Sequence, residues 1–164
     1  MKKLLVKNIG LLATPEGKCA HCGEEQGRIK FLKDAWVLME DGVIASVGSG
    51  AVPAADGAEI VDAGGNLVTP GLVDAHTHLI FGGWRQNELG LKLHGASYLD
   101  IQNAGGGIQS TTNATRRATE QELADKAEKA LNEMLRFGST TVEAKSGYGL
   151  ATEHELKALQ VIKD

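Results

Sequence analysis

Residues 68–78, Val-Thr-Pro-Gly-Leu-Val-Asp-Ala-His-Thr-His, constrain the fold more than any other stretch. An apolar run opened by Pro-Gly and closed by two histidines one residue apart reads as a strand. Residues i and i+2 of a strand share a face. His76 and His78 are therefore expected to aim both imidazoles at one point beyond the strand's carboxyl end. Neutral imidazole is a common metal ligand, and two converging rings are half of a tetrahedral site. The same spacing also suits two surface histidines at the start of a loop.

The chain changes character at this segment. Before it, short β-type runs alternate with Gly-rich turns. Residues 4–9 read as a strand and residues 14–17 as a loop. Residues 35–39 and 43–47 flank Asp41-Gly42, a pair that supplies the positive φ angles of a tight hairpin. Residues 59–62 and 66–68 are further short strands. After Pro70, the run 71–76 is apolar on both faces, as in a parallel strand covered on both sides. A short helix is expected over 97–104, and a long connection from Gly105-Gly106-Gly107 to Arg117. No Walker lysine follows the three glycines, so they do not read as a phosphate cradle. Thr119-Glu120-Gln121-Glu122 is a capping box opening a helix that stops at Gly138. Residues 140–144 form a β-branched strand. Thr152-Glu153-His154-Glu155 repeats the box before a last helix with Leu156, Leu159 and Ile162 on one face and a solvated His154. Strand–helix alternation of this kind means parallel βα units.

Composition bounds the functional classes. The 164 residues are 42% hydrophobic and 23% charged, with 17 basic against 21 acidic side chains. No basic stripe or aromatic platform suits a nucleic acid. Met1-Lys2-Lys3-Leu4-Leu5-Val6 begins like a signal peptide, but Lys7 and Asn8 interrupt it, and no apolar segment approaches membrane-spanning length. The expectation is a cytoplasmic protein without a membrane partner. The only cysteines lie in Cys19-Ala20-His21-Cys22. Two thiolates and an imidazole suit a metal or a redox pair, and equally a polar loop with reduced thiols.

The α/β pattern after Pro70 is short. Residues 71–164 hold two barrel-type strands, whereas a closed (β/α)₈ barrel takes on the order of 200 residues or more. The expected fold is α/β: a small sheet or half of a sandwich over residues 1–68, β-sandwich-like, followed over residues 69–164 by parallel βα units too few to close a barrel. Either those units pack as a small layer, or the chain is the front of a longer protein.

Residues 69–78 resemble the first barrel strand of the metal-dependent amidohydrolase superfamily. Further blocks narrow the resemblance to its imidazolonepropionase family. They are His76-Thr77-His78-Leu79-Ile80-Phe81-Gly82-Gly83 with Arg85, Gly95-Ala96-Ser97-Tyr98, Gly105-Gly106-Gly107-Ile108 with Ser110-Thr111, Ala114-Thr115-Arg116, and Glu143 with Lys145-Ser146-Gly147-Tyr148-Gly149-Leu150. The match runs along essentially the whole chain and corresponds to the amino-terminal two-fifths of the family's usual length.

The resemblance implies a sandwich built from both chain ends beside a distorted TIM barrel. It also implies hydrolysis of the cyclic amide of 4-imidazolone-5-propanoate to N-formimino-L-glutamate, in histidine degradation, with one zinc or iron ion. His76 and His78 match the first two metal ligands, and Arg85 and Tyr148 match substrate-binding residues. Glu143 and Lys145 receive no role beyond support. The remaining ligands, a histidine and an aspartate, and the acid–base groups are expected beyond Asp164, so the chain alone is expected to be inactive. A homodimer is the ordinary expectation for the complete enzyme. Trp84, Leu89 and the Cys-Ala-His-Cys loop depart from the family pattern. Two other readings stand beside this one. One is a different amidohydrolase, such as formiminoglutamate deiminase. The other is a non-catalytic metal-binding module using Cys19, His21 and Cys22.

Overall fold

Asp41 and Gly42 both take positive φ, 49° and 83°, and the strands on either side pair as that turn demands. The computed structural model describes residues 2–17 and 19–164. Its chain divides into two compact units, Met1–Pro70 and Gly71–Asp164.

The first unit is a mixed five-stranded sheet. Strands β1 (Lys3–Pro15), β2 (Ile29–Glu40) and β3 (Val43–Ser49) run antiparallel in sequence, while β4 (Glu59–Asp62) and β5 (Leu67–Val68) both pair with β1 in parallel. Strand β1 is longer than the expected 4–9 and extends through the expected loop at 14–15. Its register breaks between Val6 and Ile9, where Asn8 takes φ 54°. Asparagine tolerates that conformation, so a bulge re-aims the strand without ending it. Ile9, Leu12, Ala35 and Val37 form the buried core of this sheet, with Val6, Leu32, Met39, Ala63 and Val68 packed against it.

In the second unit, β6 (Leu72–Thr77) and β7 (Ser139–Ala144) pair in parallel. Between them run α1 (Glu88–Leu93), α2 (Tyr98–Asn103), α3 (Gly107–Arg117) and α4 (Glu120–Arg136), and α5 (Thr152–Lys163) follows β7. Sheet and helices together make the chain α/β. The core joins Ile80 to Leu123, Ala127 and Ala158, where small residues let α4 and α5 approach.

Four expectations need correction. The run 71–76 is not covered on both sides: Leu72 and Val73 are 55% and 67% exposed, because among the described residues β6 has only β7 as a strand neighbour. Residues 107–117 are a helix rather than a connection. Its buried stripe is Thr111, Thr112 and Thr115, residues of low helix propensity that hide the period from a search for leucines. The face of α5 turned inward carries Ala158, Val161 and Ile162, whereas Leu156 and Leu159 are exposed. Finally, α5 starts after Ala151 with no side-chain cap. The expected box at Thr119 and Glu122, by contrast, is formed on α4.

Candidate active-site cleft

The parallel pair brings two distant segments to one end of the sheet. The Thr77 hydroxyl donates to Glu143 O at 2.6 Å, and Lys145 N–H donates to Thr77 O at 3.1 Å. His76 and His78 leave the end of β6 with ring centroids 6.3 Å apart. They line a cleft of about 380 Å³ together with Phe81, Trp84, Arg85, Thr111 and Tyr148. All four site residues expected from the sequence thus meet in one concavity. Sequence reasoning missed Thr111, whose segment it took for a connection.

Each side of the cleft is held by an identifiable device. The His78 ring packs edge-on to Tyr148, centroids 5.0 Å apart, and Tyr148 leans on Phe81 at 5.8 Å. Gly147 makes this possible. Its φ is 146°, and a Cβ there would lie 2.6 Å from His78 Cε1 and 2.9 Å from Nδ1. The glycine of the Lys-Ser-Gly-Tyr-Gly block therefore makes room for the histidine of the other block.

The loop carrying Tyr148 is clamped from both sides. Glu155 Oε1 accepts the N–H groups of Gly149 and Leu150 at 2.8 and 2.7 Å. Arg116 donates through Nε to Gly149 O at 2.7 Å and through Nη2 to Leu150 O at 3.1 Å. Glu155, expected in a capping box, serves this loop instead. Burial pushes its carboxyl up. The N–H groups of Leu150, Gly149 and Gly147 and the Ser146 hydroxyl more than offset this, so the net shift is downward.

The opposite wall is the turn 81–85. Gly82 N–H donates to Thr115 Oγ1 at 2.9 Å, and that hydroxyl donates to Thr111 O at 2.8 Å. Thr115 of α3 is thus the polar anchor of this turn, its hydroxyl accepting from Gly82 and donating to Thr111 O.

The donor set suits a cation. His78 Nδ1 is buried and has no hydrogen-bond partner among the described residues, a lone pair of the kind a metal takes up. His76 Nδ1 faces the Lys145 ammonium at 3.2 Å, and the same ammonium meets Glu143 Oε2 at 3.1 Å. A positive charge therefore already sits where His76 offers its lone pair. Among the described residues no three His, Cys, Asp or Glu side chains converge as a metal site. Cys19, His21 and Cys22 do not converge either. Both thiols are free and exposed, and the His21 ring meets Glu16 O at 2.6 Å. His154 is half-buried beside Glu153. No helix is long and apolar enough to cross a membrane among the described residues.

The sequence profile of the amidohydrolase family matches residues 59–101. An imidazolonepropionase of Thermoanaerobacter pseudethanolicus is 49% identical over 160 residues, which are 97% of this chain and 38% of that protein. One from Alkaliphilus metalliredigens is 46% identical over 168 residues, 99% of this chain and 40% of that protein. Among solved structures, a guanine deaminase from Bradyrhizobium japonicum superposes with a TM-score of 0.60 at 20% identity. It covers 97% of this chain and 32% of that one. At that identity the likeness concerns the fold alone. The chain spans about two-fifths of the length of the curated relatives it matches. From end to end it is similar in sequence to imidazolonepropionases, within the amidohydrolases, and it fits their amino-terminal portion.

Proposed function

We propose that the cleft is one side of the active site of an imidazolonepropionase, a cytoplasmic, homodimeric enzyme of histidine degradation. In this reading residues 1–68 belong to a β-sandwich, and residues 69–164 begin a TIM-like barrel. The observation that carries it is the meeting of His76, His78, Arg85 and Tyr148 in one cleft, in a chain 49% identical to an imidazolonepropionase. The reaction is addition of water across the amide C–N bond of 4-imidazolone-5-propanoate. The ring carbonyl carbon becomes a carboxylate, the ring nitrogen takes a proton, and N-formimino-L-glutamate leaves.

His76 and His78 would hold one divalent ion, zinc or iron, with further ligands on sequence outside this chain. Such an ion, when bound, lowers the pKa of a water and polarises a carbonyl. Arg85 supplies a planar fork for the substrate's propionate. Phe81 and Trp84, centroids 5.1 Å apart, form an aromatic wall for the ring. The Tyr148 hydroxyl is placed to hydrogen-bond the ring or the formimino group. The Lys145 ammonium would give up its contact with His76 Nδ1 when the ion binds, because a neutral imidazole has a single lone pair.

The test is a chimera in which this chain replaces the matching part of the Thermoanaerobacter enzyme, followed by loss of imidazolone absorbance. It should bind one zinc or iron per chain and open the ring. Arg85→Lys should raise KM, His76→Ala with His78→Ala should abolish metal and turnover, and Cys19→Ser with Cys22→Ser should change neither. The 164-residue chain alone should show no turnover. Metal that survives loss of both histidines but not of both cysteines would overturn the reading.

A further inference from the structure

The segment that carries Arg85 is pinned at both ends by buried or half-buried charge. At its start, Lys126 reaches from α4 and donates through Nζ to Phe81 O at 2.9 Å and Gly83 O at 2.7 Å. The same ammonium lies 3.3 Å from the Phe81 ring centroid and 4.2 Å from that of Trp84. One cation thus fixes two carbonyls and two aromatic rings of a single turn, by hydrogen bonding and by attraction to the ring faces. At its end stands Glu88, an acidic residue only 4% exposed. Its Oε1 accepts Gly107 N–H at 2.6 Å, and its Oε2 faces Arg85 Nη1 and Lys92 Nζ at 4.0 Å each.

The glycine triplet makes this possible. A Cβ on Gly106 would lie 3.0 Å from Glu88 Oε1 and 2.8 Å from Ile101 Cγ2, so any larger residue would press on the carboxylate. The first N–H groups of α3 lack helical partners, and an anion there is also favoured by the helix dipole. Buried charges persist only when so compensated.

We propose that Lys126 and Glu88 are positioning residues that hold Arg85 toward the cleft, before any ligand arrives, for recognition of a carboxylate. Neither lines the cleft that His76 and His78 share; each acts through the segment between Phe81 and Glu88. An arginine on a free loop loses conformational entropy when it clamps an anion, whereas one fixed beforehand does not. Glu88 also offers Arg85 a carboxylate 4.0 Å away, too far for a hydrogen bond. The guanidinium is steered without being consumed. The role of Arg85 as a substrate group rests on the function proposed above; the pinning itself does not.

The experiment has two arms, both on this chain, with Lys126→Met, Lys126→Arg and Glu88→Gln. The first follows solvent exchange of the Arg85 Nε–H by ¹⁵N NMR, with the amides of α4 and α5 as internal standard. Exchange should speed up about tenfold in Lys126→Met and Glu88→Gln, as the segment that holds the guanidinium loosens. It should return toward the parent rate in Lys126→Arg, while helix amides stay unchanged. The second arm titrates 3-(imidazol-4-yl)propanoate against its methyl ester. The parent should prefer the acid by about tenfold, and Lys126→Met and Glu88→Gln should lose that preference without weakening for the ester. Unchanged Arg85 exchange in both Lys126→Met and Glu88→Gln overturns the positioning inference. A parent that does not distinguish acid from ester, with exchange behaving as expected, leaves the pinning standing and removes Arg85 from the substrate site.

Discussion

Replacing Glu155 by glutamine tests the clamp on the Tyr148 loop most directly. Glutamine keeps the shape and one carbonyl acceptor but removes the charge. Glu155 Oε1 receives two N–H groups, from Gly149 and Leu150. A hydrogen bond to a charged group contributes about 1.5–3 kcal/mol and a neutral one about 0.5–1.5, so two downgraded bonds cost about 2 kcal/mol. Glu155 is half-buried, and screening reduces this to about 1–2 kcal/mol. All five α-helices lie in the second unit, so ellipticity at 222 nm during urea unfolding reports that unit. At pH 7 the midpoint should fall by roughly 0.5–1 M, given a urea slope of about 2 kcal/mol/M. The pH dependence supplies the control. The Glu155 carboxyl sits below its ordinary 4.5 in the folded chain. Its stabilisation is therefore complete above that value and lost as pH falls through the folded pKa. The gap between parent and Glu155→Gln should narrow progressively as pH falls below 4.5. A gap that does not narrow at all as pH falls below 4.5, or no gap at pH 7, would refute the clamp.

Two further substitutions probe the same end of the molecule. Thr112 is fully buried and its Oγ1 has no partner among the described residues. Thr112→Val, nearly isosteric, should therefore leave urea stability unchanged or raise it by about 1 kcal/mol; a loss of that size would reveal a hydroxyl partner. Gly147→Ala drives a methyl into the His78 ring and strains a positive φ. It should shift the His78 imidazole resonances and weaken zinc binding by about tenfold or more, with the 222 nm signal little changed. Unaltered His78 resonances would show that the ring does not depend on that space.

Local grammar was readable where it acts locally. Asp41-Gly42 specifies its hairpin, Thr119 and Glu122 cap α4 as a box, and Gly138 takes φ 93° behind that helix. It failed where a side chain serves a distant partner. Glu155 satisfies the pattern of a capping box, yet the N–H groups of Gly149 and Leu150 outbid its own helix. The threonines of α3 are poor helix formers in isolation. The Thr115 hydroxyl bonds the turn at Gly82, a gain that no window over residues 107–117 contains. In the cleft, the spacing of His76 and His78 was legible from strand geometry alone. Arg85 and Tyr148 became site candidates only through resemblance to a family, and Lys126 and Glu88 only through three-dimensional contacts.

The parallel pairing of β6 with β7 bears on when the cleft comes into being. His76 and Lys145, which meet at 3.2 Å, are 69 positions apart in the chain, and four helices lie between them. Helices close in microseconds, whereas joining strands so far apart must first overcome the entropy of a long loop. The intervening helices are thus the scaffold that shortens the search, and the histidines spend much of folding solvated and apart. The cleft thus rests on a contact between segments 69 positions apart, which neither segment can make alone.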